Sequence, residues 1–223
     1  MHQALSKSAH FYGSKTKELN FFNKPVFFDG TDAYRENFPD RRGVKYYFES
    51  TPHYFRALKG DVDVAQRVAQ TIPDVRVIVV LRDPVERYES AYIHNMMRGR
   101  IPFEPTINTF TKEFGLVRLG RYATNLAHWR QHFDDIGVFF YDDLRRDPLG
   151  FVASIMEHLD VPCDLTAKDL EFRRNDKSAK IKRAGWPEMP VMSDELRAEL
   201  RVFFADEVEQ LESMVGRDLS HWR

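Results

Sequence analysis

Residues 75–81, VRVIVVL, restrict the fold more than any other segment of the chain. The run is short, five of its seven positions are β-branched, and Pro73 precedes it while Arg82-Asp83-Pro84 follows. Such a run reads as a strand buried on both faces, the kind found in parallel sheets covered by helices. IGVFFY (136–141) is a second run of this type and KYYFES (45–50) a more ambiguous third. Helical patterns lie between them. DVAQRVAQTI (63–72) precedes the first strand, and PVERYESAYIHNMMRGR (84–100) follows it, with Asp83 as N-cap and Pro84 in the first turn. Strands alternating with helices predict an α/β domain with a mainly parallel sheet.

Three further helices are expected. Tyr122, Leu126, Trp129 and Phe133 recur at helical spacing and predict one face buried against the sheet. PLGFVASIMEHLDV (148–161) is amphipathic, and 192–215 opens on a capping signal at Ser193 and runs to Gly216. Between these two, EFRRNDKSAKIKRAGWPEMP (171–190) is polar, basic and without clear period, so it reads as a long loop, of a length that is usually functional or disordered. At 223 residues the chain is read as one domain, 1–223.

Composition narrows the function classes. Lys plus Arg is 33 and Asp plus Glu is 34, which gives no argument for a nucleic-acid or anionic-membrane partner and leaves any anion site local. The single cysteine, Cys163, excludes an internal disulfide and a multi-cysteine zinc site, and by default reads as a small buried side chain. No apolar run approaches the roughly 18 residues of a membrane span, and no signal-peptide centre is visible, so the expectation is a soluble, cytoplasmic chain. No HExxH or paired metal spacing is read. His94, His128 and His132 fall on helical patterns where capping, packing or exposure is the expected role.

Two places carry chemistry on their own residues. Arg82 ends a buried strand beside a helix N-terminus, which suits an anion; it equally suits a local ion pair with Asp83 or Glu86. Glu49, in FESTPHYF (48–55), is otherwise an ordinary acid at a strand end.

Taken in order and spacing, FESTPHYF, VIVVLRDPVERYESAY and the run from LGRYATNLAHW to MEHLDVP resemble sulfotransferases that use 3′-phosphoadenosine 5′-phosphosulfate. The likeness is strongest to the heparan sulfate branch and its bacterial relatives, and it extends to the closing helix and the final LxGxxLxxW-like pattern. It covers the chain from about KTKELNFF (15–22) onward. The resemblance implies a P-loop NTPase-like three-layer fold, with the family's first strand and PKxGTT phosphate loop missing from the chain as read. GSKT (13–16) is read as a connection, since no apolar strand is seen before it.

By position, Arg82 and Ser90 match the residues that hold the donor's 3′-phosphate, and Glu49 matches the general base for the acceptor hydroxyl. Lys182 is the best match to the flexible phosphate-binding segment, with Lys180 and Arg183 weaker, and Trp186 either covers the nucleotide or anchors the loop. Departures are Ser50 where the family has lysine and Asn20 where it has histidine.

The implied activity is sulfuryl transfer to a hydroxyl or amine of a small-molecule or carbohydrate acceptor, with no metal. The alternative is a truncated or degenerate relative that binds nucleotide or a partner without turnover. A phosphate-loop kinase lacks both a Walker-type loop and a magnesium-binding acid in context. Arg98, Arg100 and Arg121 suit an anionic sugar or an ordinary surface equally well.

Overall fold

The computed structural model describes residues 1–25, 27, 30–58, 60, 62–171 and 177–223, with the backbone alone for 177–180. The elements begin with α1 (His2–Leu5), β1 (Phe11–Gly13), α2 (Asp32–Arg35), β2 (Tyr46–Phe48), α3 (Val64–Thr71) and β3 (Val77–Leu81). Next come α4 (Pro84–Met97), β4 (Thr106–Ile107), α5 (Tyr122–Trp129), β5 (Ile136–Phe140), α6 (Tyr141–Arg146) and α7 (Pro148–His158). α8 (Lys177–Ala184), β6 (Val191–Met192) and α9 (Asp194–Val215) follow. The chain divides into two compact units, Met1–Leu81 with Leu126–Phe172 and Arg82–Asn125 with Arg173–Arg223.

In the first unit the two β-branched runs pair as expected. β3 and β5 are parallel and in register from Val77 opposite Ile136 to Leu81 opposite Phe140. β1 and β2 form a second parallel pair, Phe11 opposite Tyr46 and Gly13 opposite Phe48. One core serves both pairs: Phe151, Val152, Ile155 and Met156 of α7 pack with Phe11, and Tyr46, Phe48, Ile78 and Phe139 close around them. These positions on α7 fall at i, i+1, i+4 and i+5, a single stripe, and burying each contributes about 1.5–3 kcal/mol. Gly137 of β5 permits the close approach of α7, because a Cβ there would lie 2.7 Å from His158 Nε2.

In the second unit α4 starts where the sequence predicts. Asp83 Oδ1 accepts from the backbone N–H groups of Val85 (2.8 Å) and Glu86 (3.2 Å), and its other oxygen accepts from Arg201 Nη2 at 2.6 Å. The Asp83 side chain is only 8% exposed, so its charge is held by a cap and a cation together. α9 buries Leu196, Leu200, Phe204, Val208 and Leu211, begins at Ser193, whose side chain accepts from Leu196 N, and stops at Gly216 in the left-handed conformation (φ 64°). Leu219 and Trp222 of the closing pattern are buried. A short parallel pair joins β4 to β6.

Three expectations change. Residues 177–184 of the supposed loop form α8. With Ile181 and two alanines as its only apolar residues it has no buried stripe to read, but Ala, Lys and Arg are strong helix formers. A strand does precede GSKT: Phe11-Tyr12-Gly13 is too short to show a period, and its pairing with β2 defines it. Cys163 is exposed, lying in the irregular segment after α7 and not on a packed face. Tyr122, Leu126, Trp129 and Phe133 are all buried, as their spacing predicts.

Asp83→Ala should lower folding stability by about 2–4 kcal/mol, because it removes a cap and the carboxylate partner of Arg201. Arg146→Ala breaks a pair whose arginine is 78% exposed and should cost under about 0.5 kcal/mol. Urea denaturation of both variants checks the contrast.

Candidate active site

Glu49 is the first residue beyond β2, and the preceding chain lines up beside it. Ser14 N donates to Phe48 O (2.8 Å) and Ser50 N to Lys17 O (3.0 Å), which extends the β1–β2 alignment past the strands. The run KELNFF is thereby brought to the carboxylate. Asn20 takes a positive φ of 55°, tolerable for asparagine, and stands where the resemblance expects histidine. Thr51 Oγ1 donates to Glu49 Oε2 at 2.6 Å and Tyr54 OH to Oε1 at 3.2 Å. Tyr34 and the backbone N–H of Leu19 also favour the charged carboxylate. Tyr54 is itself fixed by the N–H of Phe21, 2.7 Å from its oxygen.

Every one of these partners is neutral. Burial pushes the Glu49 carboxyl up, the donors from Thr51, Tyr34, Tyr54 and Leu19 oppose this, and burial prevails. Burial and the Glu49 charge also hold the Tyr34 and Tyr54 phenols above their usual range, which keeps them as donors. FESTPHYF already contained Thr51 and Tyr54 as partners. Tyr34 carries no motif and reaches Glu49 only through the fold. Ser50, standing where lysine was expected, pairs its hydroxyl with His2 Nδ1 at 3.1 Å.

In the second unit Arg82 follows β3 directly and its Nε donates to Glu86 Oε2 at 2.9 Å, both side chains being 30% exposed. The local ion pair left open by the sequence is therefore formed. Tyr122 OH donates to Arg82 O at 2.8 Å and fixes the backbone there. Ser90 is exposed on α4, four residues beyond Glu86 and so on the same face of the helix.

Lys182 and Arg183 are exposed on α8, while the side chain of Lys180 lies outside the described residues. Trp186 packs on Phe103 with ring centroids 5.1 Å apart, which anchors the segment after α8. Arg121 is committed to buried Glu207 at 2.9 Å, and Thr124 donates to the same carboxylate.

The sequence model of the family described as "Sulfotransferase family" matches residues 8–165. Heparan sulfate glucosamine 3-O-sulfotransferase 3B1 of Homo sapiens is 27% identical over 178 residues, 72% of this chain and 44% of that protein. The bifunctional heparan sulfate N-deacetylase/N-sulfotransferase 1 of Caenorhabditis briggsae is 24% identical over 182 residues, 73% of this chain and 20% of that protein. The chain thus spans less than half the length of either relative. A solved sulfotransferase from Alicyclobacillus acidocaldarius superposes with a TM-score of 0.75 at 25% identity, covering 99% of this chain and 92% of that one.

Because the folded Glu49 carboxyl titrates above its unfolded value, its contribution to stability is present below the unfolded pKa and is lost as pH rises through the folded one. Thr51→Val removes a donor to the anion and should raise the Glu49 pKa further. Carbon-13 NMR titration of the Glu49 carboxyl should show the upward move, and denaturation should show a larger loss of stability at pH 8 than at pH 4. An unchanged titration would mean that Thr51 does not support the anion.

Proposed function

The chain belongs to the sulfotransferase family, and from that premise we propose that it transfers a sulfuryl group from 3′-phosphoadenosine 5′-phosphosulfate to a hydroxyl or amine acceptor, carbohydrate being the favoured class. The observation that carries this reading is Glu49, a half-buried carboxylate at a strand end, held by neutral donors alone among its described partners and shifted toward the pKa range of a working base. The carbohydrate class is supported by the names of the relatives, which act on heparan sulfate.

In this reading the acceptor oxygen attacks sulfur in line with the bond to the 5′-phosphate. The new O–S bond forms as the bond to the phosphate oxygen breaks, the acceptor proton passes to Glu49, and 3′-phosphoadenosine 5′-phosphate leaves. Two carboxylate oxygens offer about four acceptor positions, and Thr51 and Tyr54 take one on each oxygen, which leaves capacity for the acceptor hydroxyl. Arg82 and Ser90 are assigned to the 3′-phosphate, since a guanidinium fork fits phosphate oxygens and a hydroxyl on the same helix adds a neutral donor. Lys182 is assigned to the donor, with Lys180 and Arg183 as auxiliary cations. Glu86 must share Arg82 with the phosphate.

Glu49→Gln should lower transfer by about 10²–10⁴-fold while leaving affinity for the desulfated donor unchanged. Arg82→Ala should weaken that affinity by about tenfold or more. Calorimetric titration with 3′-phosphoadenosine 5′-phosphate and a sulfuryl-transfer assay separate the outcomes. Binding without turnover favours a non-catalytic nucleotide binder, undiminished transfer by Glu49→Gln removes the base assignment, and no binding removes the donor site.

A further inference from the structure

Elsewhere in the first unit, three side chains from distant parts of the sequence converge. His128 lies in the last turn of α5, and His132 follows in a continuing turn whose N–H groups at His132 and Phe133 donate to Trp129 O at 3.0 and 3.1 Å. Four-residue spacing puts both imidazoles on one side, with ring centroids 5.6 Å apart. Asp63 is the N-cap of α3, its Oδ1 accepting from Gln66 N at 3.0 Å. His128 Nε2 lies 2.9 Å from that same Oδ1, while His132 Nε2 lies 3.6 Å from Oδ2. One ligand atom from each of the three residues falls within 4.8 Å of the others. The side chains are 13% (His128), 17% (Asp63) and 23% (His132) exposed, sheltered yet reachable.

We propose that Asp63, His128 and His132 form a binding site for a divalent transition-metal ion of the zinc type. A structural aspartate–histidine pair needs one imidazole, and His128 supplies it. The second imidazole stands beyond hydrogen-bond reach of the carboxylate but at close to the separation that one ion would impose. Donors bonded at about 2.0–2.2 Å to a tetrahedral ion lie about 3.3–3.5 Å apart.

Oδ1 takes the capping bond from Gln66 and faces His128, while Oδ2 is turned toward His132, so the carboxylate presents an oxygen to each imidazole. A hydrogen bond to the other oxygen is how proteins orient a ligating carboxylate. Two imidazoles and one carboxylate favour zinc over magnesium or calcium, and three protein ligands leave a position for water.

The frame is braced beside the site, where Trp129 Nε1 donates to Arg56 O at 3.1 Å and Trp129 stacks on Phe133 at 5.6 Å. An ion here would tie the segment after Tyr54 to the end of α5. Metal and protons compete for the same ligand atoms, so affinity should fall in acid.

The test uses the full chain without a histidine tag, stripped of metal by a chelator and titrated with Zn²⁺ at pH 7.5. One ion per chain is expected, with a higher melting temperature, and Co²⁺ in its place should give the intense visible bands of four- or five-coordination. His132→Gln should weaken Zn²⁺ binding by about 100-fold or more and abolish the thermal shift, while its circular dichroism stays that of the wild type. If that variant fails to fold, His128→Gln carries the same comparison, and His2→Gln should bind as the wild type does. Absence of Zn²⁺ binding, or binding equally tight in His132→Gln and His128→Gln, would overturn the site and leave an aspartate–histidine pair.

Discussion

The parallel pairing of β3 with β5 is the constraint on which the remaining structure depends. Two parallel strands cannot be joined by a tight turn, so the chain between Leu81 and Ile136 must leave the sheet edge and return. α4, β4 and α5 are strung along that connection. The register also fixes where β3 ends, and therefore that Arg82 and Asp83 stand at the strand's carboxyl end, where Asp83 opens α4. Within the first unit, α7 packs its apolar stripe against both β3–β5 and β1–β2. Because β2 is held in that core, the residue that follows it, Glu49, has a defined position.

The sheltered carboxylates are compensated in different ways. Asp83 is matched by a helix N-terminus and Arg201, and Glu207 by Arg121 and Thr124. Charge meets charge at both, and these acids hold elements together. Asp63 stands between the cases, with backbone donation on one oxygen and imidazoles at both. Among the described residues Glu49 has hydroxyl and amide partners only. Dipoles offset part of the cost of burying an anion, and the remainder appears as a raised affinity for a proton, which is the property a general base requires. In the proposed reaction Tyr34, Thr51 and Tyr54 are the residues that position this carboxylate.

Legibility followed the range of the interaction. The cap at Asp83, the start of α9 at Ser193 and its stop at Gly216 were readable because capping acts over three or four residues. The buried runs at 77–81 and 136–140 were readable because β-branched composition is local. α8 was not, since a polar helix shows no stripe, and neither was β1, whose three residues owe their strand conformation to pairing with β2. At Arg82 the residues allowed two partners, and the choice of Glu86 is a matter of side-chain geometry.

The sequence by itself determined the α/β alternation, the parallel strands, the capped helices and, through ordered motifs, the family. All of these rest on periodicity, composition and short-range hydrogen bonding, which are properties of neighbouring residues. Only the tertiary structure decided that Tyr34 reaches Glu49 and that Asp63 meets His128 and His132. Those contacts join residues whose separation along the chain leaves no trace in local pattern, and burial, which raises the Glu49 pKa, exists only once the chain has closed around it.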